Sequence, residues 1–538
     1  MGRLAELGFP IAVLVVAVLA VTAMPVAALV PSAFGGSAAD GEDAEPPVEI
    51  PDEHEPPSIP DEATATVDGQ EFDRAQEALD AAEPGDEVVL EGQFDEHLVV
   101  ETDDVTVRAS ERGAVVDGGG EGRVLTVAGE DVTVKGLWVR DSGYDVGTED
   151  AGVFVAGDRA TLADLYLSEI AFGVWVDGAD EVTAEDNRIE GREDVPEIER
   201  GNGIHLWNTE DTVVRNNEIT TVKDGIYYSW AERVVSEGNT FWDSRFGVHY
   251  MYSNDNRLAD NVAVDNDVGF ALMVSEGLEI ENNVALRNTG ASGHGIFLKD
   301  VDHSEIRGND LVGNERGLFV YNSYHNAIED NLVQYNVIGV HTTAGSDGQE
   351  VLGNSFVDND EQVLTTTTEV ETWNGSDGGN YWSDARTADL TGDETSELRH
   401  RPAGLVEHIV AEQPQAAVFA DSPAFEAVRM AEDSFPVVEA PGVVDHHPLT
   451  EPPHDPAAYE GLGQPDAEPD ETEPDVTHQH DHGHGDGDDH PHDDGDDHPH
   501  DGGDSEADEH DDHGEDDHEN TKNTTDNTDA SGVEEAHP

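Results

Sequence analysis

Cysteine is missing from this chain, and lysine occurs only at Lys135, Lys223, Lys299 and Lys522. Without thiols there are no disulfides and no thiolate metal sites, so a metal would need His, Met or carboxylate ligands. The lysine shortage is part of a wider lack of cations: 25 Lys and Arg stand against 121 Asp and Glu, a formal net charge of -96. Such a surface repels phosphate, which excludes nucleic acid and anionic lipid as partners. It suits a protein kept soluble in concentrated salt, where its self-repulsion is screened, and a halophilic source is expected. Methionine is scarce too, at Met1, Met24, Met251, Met273 and Met430 only.

One long apolar run is present, "FPIAVLVVAVLAVTAMPVAALV" from Phe9 to Val30. It is long enough to span a bilayer, and the small residues that follow also fit a secretory signal. Residues 1–40 are therefore read as a signal peptide or membrane anchor, with the remainder outside the cytoplasmic membrane. Residues 41–65, rich in Pro, Glu and Asp, read as an acidic linker. "FDRAQEALDAAEPGDEVVLEG" then predicts a short amphipathic helix, with Phe72, Ala75, Ala78 and Leu79 at helical spacing, followed by a turn and a strand.

The main signal is a repeat. Gly recurs at 152, 173, 203, 225, 247, 269, 295, 317 and 339, and Asn at 187, 217, 239, 261, 283, 309, 331 and 354. The commonest step is 22 residues in both series, and both lengthen to 26 at the insertion "NTGASGHG". A unit this short leaves no room for a helix of ordinary length. Three short strands per unit match an all-β fold, a single-stranded right-handed parallel β-helix whose coils stack at ~4.8 Å. The solenoid with its N-terminal helix cap is placed at 66–385, an ordered C-terminal cap region at 386–450, and a disordered acidic His-rich tail at 451–538.

Strand alternation then assigns faces. The positions one and three after each Gly are almost all apolar and read as core. Two after Gly, facing outward, stand Phe154, Trp175, His205, Tyr227, His249, Ala271, Phe297, Phe319 and His341; four after come Asp177, Trp207, Met251, Met273, Lys299 and Tyr321 among others. An outward face with aromatics, His and Met but almost no carboxylate is anomalous in so acidic a chain, and contiguous exposed apolar surface marks binding. Trp175, His205, Trp207, Tyr227, Phe297, Phe319, Tyr321 and His341 are the candidate partner-binding face, unless a long turn or the C-terminal segment covers them. Met251 and Met273 share a column on successive coils, with His249 one outward position away. Two thioethers and an imidazole form a set that favours Cu(I); methionine as adaptable packing is the plainer alternative. In the tail, "HQHDHGHGDGDDHPHDDGDDHPH" sets His478, His480, His482 and His484 at alternate positions, a composition suited to scavenging Cu(II), Zn(II) or Ni(II).

The stretches "FGVHYMYSNDNR", "VGFALM", "GLFVYNSYHN", "HTTAGSDGQEVLGNSF" and "GGNYWSD" resemble the NosD family, β-helix accessory proteins of nitrous oxide reductase maturation. The resemblance runs from the N-terminal cap to "FPVVEAPGVVDHHPL". It implies a non-enzymatic protein, copper as a transient cofactor or cargo, and action outside the membrane. The partners it implies are nitrous oxide reductase, an ABC transporter permease and ATPase, and a copper chaperone, with membrane association through the N-terminus or the transporter. A polysaccharide lyase or epimerase is the competing reading, since many β-helices act on uronates. That chemistry needs paired carboxylates or a base on an outward face, where only Asp177 and Lys299 stand, far apart. A surface adhesion solenoid is the third.

Overall fold

A computed structural model describes residues 48–460, apart from 49, 52, 53, 55, 57, 61, 344, 377, 413, 420, 421 and 435–440. The apolar run of residues 9–30 and the four tail histidines lie outside the described residues. Among the described residues no helix is long and apolar enough to cross a membrane.

The fold is the predicted parallel β-helix. Each coil contributes three strands, as in Ile204–Trp207, Val213–Arg215 and Glu218–Thr220. The Gly-led strands form sheet 1, twelve strands from Leu98–Val100 to Glu361–Thr365. The second and third strands of each coil form sheets 2 and 3, and every pairing within the stack is parallel. The core columns are as alternation predicts: Val153, Val174, Ile204, Ile226, Val248, Phe270 and Ile296 are fully buried. Two core tyrosines, Tyr228 and Tyr250, stack at 4.0 Å.

The repeating Asn forms a buried ladder inside the turn between sheets 2 and 3. Each Nδ2 donates to the Oδ1 of the next coil's Asn, from Asn187 to Asn217 at 2.9 Å through to Asn354 and Asn380 at 2.9 Å. The same amide also satisfies backbone groups that a tight turn leaves unpaired, as Asn239 Nδ2 does for the Val214 carbonyl. Asp445 ends the ladder by accepting from the Asn380 backbone N–H. A second ladder, Asn266, Asn288, Asn314, Asn336 and Asn359, fills the corner between sheets 3 and 1. The 26-residue coil bulges at this corner without disturbing either register.

Both ends of the solenoid are closed. The helix Ala75–Ala81 covers the first coil with Ala75, Ala78 and Leu79 buried. At the other end, Val370–Thr372, His400–Ala403 and Gly442–Asp445 form a three-stranded sheet beside the helices Leu405–Glu412 and Pro423–Ser434. Trp382 of "GGNYWSD" stacks on Phe356 at 4.2 Å, and its indole N–H reaches Asp445 at 3.0 Å.

The outer face of sheet 3 is covered by segments that flank the solenoid in sequence. Leu449 N–H bonds the Asn380 carbonyl, and His454 bridges Ser355 Oγ and the Asp330 carbonyl at 2.8 Å each. Gln334 then donates to the Pro456 carbonyl, and the Tyr459 hydroxyl donates to Asp310 at 2.7 Å. From the other end His54 packs on Tyr166 at 4.4 Å. Val48 and Tyr459 join one apolar cluster with Val264, Leu286, Val312, Leu332 and Val357. The segment read as a linker thus lies, where described, against the solenoid, and the first ten residues of the expected tail are ordered with it. Period and composition hid this, because both straps are polar and repeat nothing.

Candidate functional site

Sheet 1 presents the face singled out by the sequence, and its registers are those the columns require. Ser229, Met251, Met273, Lys299 and Tyr321 are neighbours on successive strands, as are His205, Tyr227, His249, Ala271, Phe297, Phe319 and His341. Met251 and Met273 therefore stand side by side, ~4.8 Å apart at the strand spacing.

One outward column escaped the sequence reading. A side chain at each repeating Gly would point inward: a Cβ at Gly173 would meet Ile189, and one at Gly225 would meet Phe241 at 2.4 Å. Gly and the residue after it therefore both face the core, alternation slips by one, and the residue before Gly faces out. That column holds Phe172, Asn202, Asp224, Phe246, Val268, His294 and Arg316. Its members touch the rings two after Gly: Phe172 on Trp175 at 4.7 Å, Phe246 on His249 at 5.1 Å, His294 on Phe297 at 5.2 Å.

Asp224 corrects the expectation that no carboxylate accompanies the His/Met set. It is 1% exposed and receives Arg245 Nε at 2.8 Å, Arg245 Nη2 at 2.6 Å and His249 Nδ1 at 3.0 Å. Burial pushes its carboxyl up, but the bonds from His249 and Arg245 outweigh that and hold it below the usual range. The His249 Nε2 atom is buried and makes no hydrogen bond.

The face divides into two ring ladders separated by Ala271. In the first, Trp175 stacks on His205 at 3.8 Å, and Tyr227 lies 4.8 Å from His205 and 4.9 Å from His249. In the second, Phe297 stacks on Phe319 at 5.0 Å and Phe319 on His341 at 4.6 Å, where Arg316 Nε donates to His341 Nδ1 at 3.2 Å. Burial holds His205 neutral, down to about 3, and His294 and His341 down to about 4 with help from the Arg316 charge.

Two predicted members of the partner face are not available to a partner. Trp175 and His205 are buried, because Phe172 lies across both and Phe154, Ala171 and Tyr144 pack with Trp175. A long turn does cover this end of the face. Tyr227, Phe297, Phe319 and His341 are partly buried, and Trp207 and Tyr321 are exposed. The sequence reading missed a second exposed pair, Trp230 and Tyr252, stacked at 4.9 Å. Their positions carry a signal of their own. The corner after sheet 1 needs a left-handed residue, supplied elsewhere by Gly178, Asn208, Asp300 and Asn322. Beside the methionines it is instead Trp230, Tyr252 and Val274, with φ of 57°, 55° and 51°. A β-branched or bulky residue there is strained, and such strain gathers at functional sites.

Among the described residues no group of three or more His, Asp or Glu side chains is disposed to hold a metal ion. Thioethers in register and an imidazole nitrogen without a hydrogen-bond partner are donors of the soft kind.

The family model described as "Periplasmic copper-binding protein (NosD)" matches residues 185–387. The "Probable ABC transporter binding protein NosD" of Pseudomonas aeruginosa is 35% identical over 355 residues, covering 63% of this chain and 82% of that protein. Its namesake from Stutzerimonas stutzeri is 35% identical over 353 residues, covering 63% and 81%. Among solved structures, the mannuronan C-5 epimerase AlgE4 A-module of Azotobacter vinelandii is similar at 18% identity, covering 55% of this chain and 82% of that one, with a TM-score of 0.37. The Dettilon tailspike protein is similar at 15% identity, covering 52% and 62%, with a TM-score of 0.35. The length and identity of the matches to the two curated proteins place this chain in the NosD family.

Proposed function

We propose that this protein is a non-enzymatic, extracytoplasmic copper-handling scaffold for maturation of the copper-sulfide centre of nitrous oxide reductase. Its relatives are named as binding proteins of an ABC transporter, and the family as copper-binding and periplasmic. The observation that carries the reading is the Met251/Met273 rung pair beside the unpartnered His249 Nε2, on the outer face where carboxylates are rarest. Copper passes through this site as cargo received from a copper chaperone and released toward the reductase. The exposed aromatics Trp207, Tyr321, Trp230 and Tyr252 beside it dock a partner, with the transporter's permease and ATPase completing the assembly. The tail histidines 478, 480, 482 and 484 gather metal nonspecifically.

The test is maturation in cells. Replacing Met251 and Met273 together by Ala should leave the protein exported and folded while nitrous oxide reductase accumulates without its copper-sulfide absorption. Wild-type absorption in that strain would refute copper passage through the pair.

A further inference from the structure

The Asp224–Arg245 pair poses a question that the His/Met site does not answer. A carboxylate on this face is costly to bury, and a carboxylate near a metal site normally attracts divalent ions. Asp224 is nevertheless 1% exposed, and both of its oxygens are taken by one guanidinium. The imidazole shares the Oδ2 atom that Arg245 Nη2 holds. The three groups form one unit, with Phe246 packed on both the Arg245 guanidinium, at 4.2 Å, and the His249 ring.

The geometry has two consequences. A hydrogen bond from Nδ1–H to a carboxylate fixes the tautomer, leaving Nε2 with its lone pair free. The two ring nitrogens project to opposite sides of the imidazole. With Nδ1 held at the column before Gly, Nε2 is left without a hydrogen-bond partner, on the strand that also carries Met251. In register with His249 on the next rung stands the small Ala271. The second consequence is electrostatic. Arg245 cancels the charge of Asp224, and the residue after Met273 in its column is Lys299, which has no carboxylate within 4 Å among the described residues. Asp224 therefore adds no net negative charge to the site, and the nearest uncompensated charge in the methionine column is positive.

We propose that Asp224 is a positioning residue for His249, and that Arg245 and Lys299 make the site selective for a soft monovalent cation over divalent ones. This rests on the His249/Met251/Met273 reading. Asp224 supplies orientation without supplying negative charge. Lys299 sets a repulsion that falls about twice as heavily on a dication as on a monocation.

The experiment uses the full chain labelled at the methionine methyl carbons. The chain has only five methionines, so the signals of Met251 and Met273 report this site alone and ignore metal held by the tail. Cu(I) and, separately, Zn(II) are titrated anaerobically at free concentrations set by a chelator. Wild type should show both methyl signals moving with Cu(I) and neither with Zn(II). Asp224→Asn should require roughly 10- to 100-fold more free Cu(I), the usual cost of losing a ligand's hydrogen-bond partner. Arg245→Gln and Lys299→Gln should narrow the Cu(I)-over-Zn(II) preference by about tenfold or more, with Zn(II) now moving the two signals. An unshifted Met430 methyl signal and a wild-type circular dichroism spectrum verify that each variant is folded. If Cu(I) moves neither methyl in wild type, the ligand reading itself falls. If Cu(I) moves both but Asp224→Asn titrates like wild type, the positioning role falls. An unchanged metal preference in Arg245→Gln and Lys299→Gln overturns the selectivity.

Discussion

Two outer faces of this solenoid carry apolar residues, and the chain treats them differently. On sheet 3, Val264, Leu286, Val312 and Leu332 are sealed beneath Val48 and Tyr459. On sheet 1, only the end around Trp175 is sealed, and from Trp207 onward the rings and thioethers are left partly open. Apolar residues facing outward from a β-helix are therefore not by themselves a sign of binding. What distinguishes the open face is that no strap among the described residues is spent on it, while strained corners and unpartnered imidazole nitrogens lie along it.

Acid should separate the two faces most sharply. His205, His294 and His341 have folded pKa values below the usual 6.5, so their contribution is intact above that value and is lost as pH falls toward 3–4. At pH 5 the cost is roughly 2 kcal/mol for the deeply buried His205 and less for the more accessible His341. Asp310 under the Tyr459 strap has the opposite sign: burial raises its pKa, so it favours the folded state as pH falls through that raised value. Hydrogen exchange at pH 7 and pH 5, corrected for intrinsic rates, should show the sheet 1 strands loosening before residues 449–460. Strap opening as the first acid event would break the contrast.

A smaller effect is expected from Tyr459→Ala. It removes a ring that is 3% exposed and leaves the Asp310 carboxyl without its donor, a loss of about 3 kcal/mol. Limited proteolysis should then cut the strap, while the Asn ladders keep the coils intact. The smallest effect belongs to the open face. Trp207→Ala with Tyr321→Ala should change thermal stability by about 0.5 kcal/mol or less, since both are exposed, yet weaken capture of a transporter partner. A large drop in melting temperature would mean that these rings are structural after all.

The contrast also explains which parts of the molecule could be read from sequence. The coils, the Asn ladder through position 354, the core columns and the Met251/Met273 adjacency follow from two periods, 22 residues along the chain and two along each strand. The reading failed where a period broke. At each Gly corner two successive positions face inward, so the preceding residue faces out, and a reading confined to the positions after Gly overlooked Asp224, His294 and Arg316. Reading the residue before each Gly as a column of its own would have exposed them. The turn bearing Tyr144 and the two straps had no such remedy. They occur once, and only the folded chain shows what they cover.

The meeting of Val48 and Tyr459 in one cluster has a mechanical consequence. Val48 and Tyr459 lie together on one flank of the solenoid, against Val264 to Val357. A pull applied through these two points is carried across the flank, and the coils stay out of the load path until a strap peels away. The straps would thus yield first, at the His454 and Tyr459 contacts, while the rungs of Asn and the methionine pair keep their spacing.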